Sequence, residues 1–116
     1  MTASPSELVV MLYDACIKNL KLADISLTER NDKDGANTYF IKAQKIIMEL
    51  VNSLDTSFPI SEQLLEIYDF LLKSIREMNI KKNVDSLPGI LDILTSMRDT
   101  WEAAAKSLSR GTSEVG

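Results

Sequence analysis

Paired carboxylates are the first residues in this chain whose types and spacing could support chemistry. Glu66 and Asp69 lie three positions apart and Asp92 and Asp99 seven, spacings that bring each pair onto one face of a helix. Such pairs could serve general acid–base catalysis if one member were desolvated. Both sit on faces otherwise held by polar residues, where a carboxylate stays solvated. Histidine is absent, which removes the commonest general base and metal ligand. The single cysteine, Cys16, cannot form an internal disulfide and falls on an apolar stripe, as a core thiol rather than a nucleophile. Without Glu-x-x-His, neither a zinc site nor a di-iron centre can be assembled. The phosphate-cradling patterns G-x-G-x-x-G and the P-loop are missing as well. The residues therefore argue against an enzyme and imply no cofactor and no metal.

Composition narrows the remaining classes. Of 116 residues, 45% are apolar and 26% charged, ordinary values for a soluble globular domain. Thirteen basic residues against 17 acidic ones give a net charge of −4. No basic run extends beyond Lys81-Lys82, so no nucleic-acid partner is expected. Residues 1–7 lack a basic secretory n-region, and no uncharged stretch of about 20 residues could insert in a membrane. A reducing, cytoplasmic setting fits the lone thiol.

The periodicity predicts four helices, over about 4–28, 34–56, 62–78 and 84–108, within one domain spanning 1–108. Residues 109–116 have no periodicity and are expected to form a mobile tail. In the first helix, Ser4, Pro5 and Glu7 read as N-cap, first helical residue and capping-box partner. Leu8, Leu12, Cys16, Leu20, Ala23 and Leu27 form its main apolar face, and Val10 and Ile17 make a second stripe, so it should have neighbours on more than one side. The second helix carries Ala36, Phe40, Ala43, Ile47, Leu50, Val51 and Leu54. Ser61 is the expected N-cap of the third, with Ile60 stapled onto Leu65, and Leu64, Leu65, Tyr68, Leu71, Leu72, Ile75 and Met78 are expected to be buried. Asn83 or Ser86 caps the fourth, which tolerates Pro88 in its first turns and buries Leu87, Ile90, Leu94, Met97, Trp101, Ala105 and Leu108. Short polar links between long helices imply an all-α, antiparallel up-down four-helix bundle.

That bundle leaves apolar residues over. Val10 and Ile17, then Ile41 and Met48 on either side of Gln44, then Phe70, all lie off the faces a four-helix core requires. Aligned stripes of this kind suit grooves that accept an amphipathic helix. Two other uses stay open. Val10 and Ile17 could be absorbed by a wide core, and Ile41, Met48 and Phe70 could build a homodimer. Trp101 reads as a core anchor, and Arg98 as a side chain snorkelling from the edge. Tyr13, Tyr39 and Tyr68 read as rings flanking the core with hydroxyls in water.

Particular segments resemble the flagellar secretion chaperone FliS family. The opening Thr2-Ala3-Ser4-Pro5-Ser6-Glu7-Leu8-Val9-Val10-Met11-Leu12-Tyr13-Asp14-Ala15-Cys16-Ile17 is similar to its T-x-S-P-x-x-L-x-x-M-L-Y run. Lys42-Ala43-Gln44-Lys45-Ile46-Ile47-Met48-Glu49-Leu50 looks like its K-A-Q-x-I-I-x-E-L. Tyr68-Asp69, Asn79-Ile80-Lys81-Lys82 and Arg98-Asp99-Thr100-Trp101 follow in family order, so the resemblance covers about residues 2–105. It implies a cytoplasmic, non-enzymatic chaperone that binds the disordered C-terminal segment of flagellin. Such a protein prevents premature polymerisation and presents its client to a flagellar export gate component. The candidate contacts are Val10, Ile17, Ile41, Gln44, Met48 and Phe70. Family members usually carry a short tyrosine-bearing arm ahead of T-x-S-P. Here Met1 directly precedes Thr2, so the groove is expected to stand open.

Overall fold

Pro5 begins the first helix, where its fixed φ is already helical and its missing N–H would have had no partner. The computed structural model describes residues 5–115, with side chains described for residues 5–107. The Ser4 half of the expected capping box lies outside them. Helix α1 spans Pro5–Thr28. It ends as Glu29 and Arg30 both donate their N–H groups to the Ile25 carbonyl and Asn31 turns left-handed at φ 50°. Asparagine tolerates that conformation better than most residues.

Helix α2, Lys33–Asn52, starts on an N-cap that periodicity did not reveal. The Asp32 carboxylate accepts from the Gly35 N–H at 2.9 Å. A Cβ at position 35 would collide with that carboxylate, so glycine leaves the cap its room. The helix stops four residues before the expected end at 56. Ser53 Oγ donates back to the Leu50 carbonyl, and Leu54 N–H turns to Val51.

Helix α3, Ile60–Lys81, corrects the expected N-cap. Pro59 occupies that position, without a side-chain cap. Ser61 lies buried inside the first turn and donates its hydroxyl to the Asp55 carbonyl. Asp55 organises the turn instead, accepting from both Ser57 N–H and Ser57 Oγ. Ile60 and Leu65 are both exposed, so the expected staple does not cover them. At the other end Lys82 is left-handed, and Met78 accepts from the Lys82 and Asn83 N–H groups. Helix α4, Leu87–Val115, opens with Ser86 accepting from Ile90 N–H, and Pro88 falls in the first turn as expected. It runs on through 109–115, the stretch expected to be a tail.

The result is an all-α, up-down four-helix bundle, with no strand among the described residues. Links 29–32, 53–59 and 82–86 are too short for anything but antiparallel neighbours. Helix α1 packs on α2 and α4, α2 packs on α3, and α3 barely approaches α4. Cys16, Leu20, Phe40, Ile47, Leu50, Leu71, Ile75 and Leu94 fill the centre. Small residues at Ala23, Ala36 and Ala43 let α1 and α2 come close enough for the Cys16 thiol to reach the Ala43 carbonyl at 3.8 Å.

Two tyrosines depart from expectation. Tyr13 and Tyr68 are fully buried, and their hydroxyls hydrogen-bond each other at 2.6 Å across the diagonal between α1 and α3. In the dry centre each hydroxyl needs a partner, and the two tyrosines supply one to each other. Burial raises both phenols above their usual pKa and pushes the Cys16 thiol up to about 12. These groups stay protonated when folded but ionise sooner when unfolded. Their stabilising contribution is therefore intact below about pH 8.5, the unfolded thiol value, and is lost as pH rises. The urea midpoint should fall steadily above about pH 9, and this alkaline loss should be shallower in Tyr13→Phe/Tyr68→Phe. Tyr13→Phe alone strands the Tyr68 hydroxyl and should cost about 1–3 kcal/mol, more than the double variant. Urea melts of the three proteins at pH 7 and pH 10 check both statements.

Candidate partner-binding surface

The seam between α3 and α4 carries large side chains at the facing positions, with no alanine to let the axes approach. Ile67 and Phe70 from α3 and Ile93 and Met97 from α4 line an open trough there, with Glu66, Asp92 and Ser96 on its banks. One turn further along each helix, Leu64 and Trp101 continue the same two stripes into a recess of about 230 Å³. Val9, Leu54, Phe58 and Ile60 complete its wall. From Ile93 to Trp101 the apolar floor extends about 12 Å at 1.5 Å per residue, enough for about two turns of a docked helix. Trp101 is half-buried, and its indole N–H, donating toward the Tyr13 hydroxyl, joins this end of the trough to the buried tyrosine pair.

On the other flank of α4, the seam with α1 is bridged by charge. Arg98 Nε donates to Asp14 at 2.7 Å, and its Nη1 meets both Asp99 and Glu102. The hydrogen bond to Asp14, then that to Asp99, holds the guanidinium above its already high pKa. Arg98 thus ties α4 to α1 at the bundle's edge. Among the described residues no cluster of His, Cys, Asp and Glu could hold a metal, and no helix is long and apolar enough to cross a membrane.

The residues singled out from sequence fall on three surfaces. Phe70 lies in the trough and is 52% exposed. Ile41, Gln44 and Met48 sit on the flank of α2 that turns towards α3. The hydrogen bond from Asn79 Nδ2 to Asn37 Oδ1 identifies that flank, and 41, 44 and 48 follow 37 at helical spacing. Ile41 is 38% and Met48 46% exposed, while Gln44 is half-buried. Val10 is half-buried in a cleft against α4 with Met11, Glu102 and Ala105. Ile17 is half-buried against the core. Ile67, Ile93, Met97 and Trp101 were not among the candidates. Ile67 and Ile93 stand about 60–85° off the centre of their helix's core stripe at 100° per residue, a signal present in the sequence. Met97 and Trp101 continue that stripe, and only the separation of α3 from α4 opens them.

Comparison with known proteins adds to this geometry. The family model described as "Flagellar protein FliS" matches residues 1–108. A flagellar secretion chaperone FliS from Bacillus subtilis (strain 168) is 35% identical over 106 residues, covering 91% of this chain and 79% of that protein. Proteins of the same name from Escherichia coli (strain K12) and Salmonella typhimurium are 25% and 26% identical over 112 residues, each covering 94% of this chain and 82% of the relative.

Neighbouring positions on α3 give a direct check of the trough. Phe70 is exposed and Leu71 is fully buried. Phe70→Asp should leave the melting temperature within a few degrees of the parent, since it buries no charge. Leu71→Asp puts an unpaired carboxylate in the core and should unfold the bundle or lower its stability by more than about 4 kcal/mol. Circular dichroism melts of the two variants measure the contrast.

Proposed function

This chain belongs to the FliS family of flagellar proteins, and from that membership we propose that it serves in the cytoplasm as the export chaperone of flagellin. In this reading it binds the disordered C-terminal segment of flagellin, prevents its premature polymerisation and delivers it to a component of the flagellar export gate. It performs no catalysis. The observation that carries the reading is the trough and its end recess, where the α3/α4 seam leaves aligned apolar side chains uncovered. A disordered, amphipathic segment that folds as it docks can cover a long surface and still be released, because its ordering offsets part of the contact energy.

The trough and the Ile41–Gln44–Met48 stripe lie on the two flanks of α3. A segment that wraps around this helix would meet both. Val10 and Ile17, on the α4-facing flank of α1, would extend the contact surface or brace the helix beneath it. The second reading is a homodimer built on Ile41, Met48 and Phe70, whose exposure suits either use.

Titration calorimetry with a flagellin C-terminal peptide tests the proposal. Phe70→Asp or Ile93→Asp should weaken binding at least about thirtyfold, the usual consequence of losing a central apolar anchor. Ile41→Asp and Met48→Asp should weaken it less, with helical content and melting nearly unchanged. Parent-like affinity in all four variants would sink the assignment. A dimer that persists in light scattering with excess peptide would favour the homodimer instead.

A further inference from the structure

The trough holds two carboxylates that no described residue neutralises. Glu66 on the α3 bank and Asp92 on the α4 bank have no ion-pair or hydrogen-bond partner among the described residues, and no basic side chain lines the trough. The other grooves differ. In the α1/α4 cleft Lys106 faces Glu102 at 3.6 Å, and beside the α3–α4 turn Lys81 pairs with Glu77 at 2.6 Å. An apolar floor between unpaired acids on both banks has a specific complement. A helix bearing only apolar and neutral side chains would strip water from two carboxylates and return nothing. A helix with Lys or Arg on both margins of its apolar stripe would pair them as it docks.

Resting on the reading of the trough as the client groove, we propose that it selects an amphipathic helical segment flanked on both sides by basic residues. Glu66 and Asp92 stand on opposite banks, so the two basic margins of the client lie on opposite sides of its apolar stripe. Apolar contact supplies attachment, and the two acids decide which amphipathic helix is admitted and in which rotational setting.

Two synthetic 18-residue peptides test this, with the same leucine stripe at helical spacing but with Lys in one and Glu in the other at both margins. Calorimetry in 50 mM NaCl should show the Lys-flanked peptide binding at least tenfold more tightly, as two partly desolvated ion pairs allow. Glu66→Gln/Asp92→Asn should remove most of that preference. The control Glu29→Gln/Glu49→Gln removes the same charge from exposed positions elsewhere and should keep it. Raising NaCl to 0.5 M should shrink the parent's preference as screening sets in. Equal affinity for the two peptides, or a preference that survives Glu66→Gln/Asp92→Asn, would overturn the charge selection while leaving the trough as an apolar docking site. Binding of neither peptide, or binding unaffected by Phe70→Asp, would overturn the trough reading itself and the selection with it.

Discussion

Side-chain volume at the helix seams governs how this bundle closes, because four helices joined by short links cannot all approach equally when their facing residues differ in size. Alanines at 23, 36 and 43 allow α1 and α2 to close so far that a thiol on one touches a backbone carbonyl on the other. Isoleucine, phenylalanine and methionine face each other between α3 and α4, and those helices barely meet. A packed interior tolerates no large void, so the slack appears at the surface, as a trough along one seam. The feature that the proposed function uses is thus a consequence of the packing and no separate addition to it.

The polar parts of the interior constrain the same geometry. Tyr13 and Tyr68 lie on diagonally opposed helices, and their hydroxyls satisfy one another only at one separation of α1 and α3. A shift of either helix would leave the buried Tyr68 hydroxyl without a partner, a larger penalty than the hydrogen bond itself contributes. Arg98 performs a comparable task at the edge, holding α4 to α1 through carboxylates on both helices. Asn79 does so between α3 and α2, with Lys82 Nζ donating to its carbonyl and side-chain oxygens. Three seams are therefore tied by hydrogen bonds or charge as well as by packing with α1 or α2. The α3/α4 seam has no such tie among the described residues.

In the proposed role, attachment and selection divide between two kinds of residue. The apolar floor attracts any amphipathic helix, since burial of apolar area is non-directional. The carboxylates on its banks discriminate, because a charge left unpaired on docking is costly and one that finds a partner is not. This division suits a chaperone that must hold a flexible client and later let it go. A protein whose whole interface was a deep, dry core would release its client slowly.

Much of the architecture could be read without coordinates. Apolar residues recurring at three and four positions identify four helices, and polar links of a few residues between them require antiparallel neighbours. Pro5 as the first residue of α1 and Cys16 in the core follow from local chemistry alone, whereas local chemistry leaves Asn83 and Ser86 both open before α4 and the fold selects Ser86. The turn residues were harder. Asp32 rather than an unnamed cap starts α2, and Asp55 rather than Ser61 arranges the entry to α3, because several nearby oxygens could serve and the folded backbone selects among them. Phe70 stood out as surplus on its own helix, but its companions did not. Met97 and Trp101 continue α4's core stripe, and periodicity cannot distinguish a stripe that meets another helix from one that overlooks a gap. Nor can it place Tyr13 against Tyr68, 55 positions away. The identity and facing of the helices are local properties, encoded in the spacing of residues along each one. The distance between two helices depends on the volumes of side chains contributed by both, and so only the assembled tertiary structure decided where the surface opens.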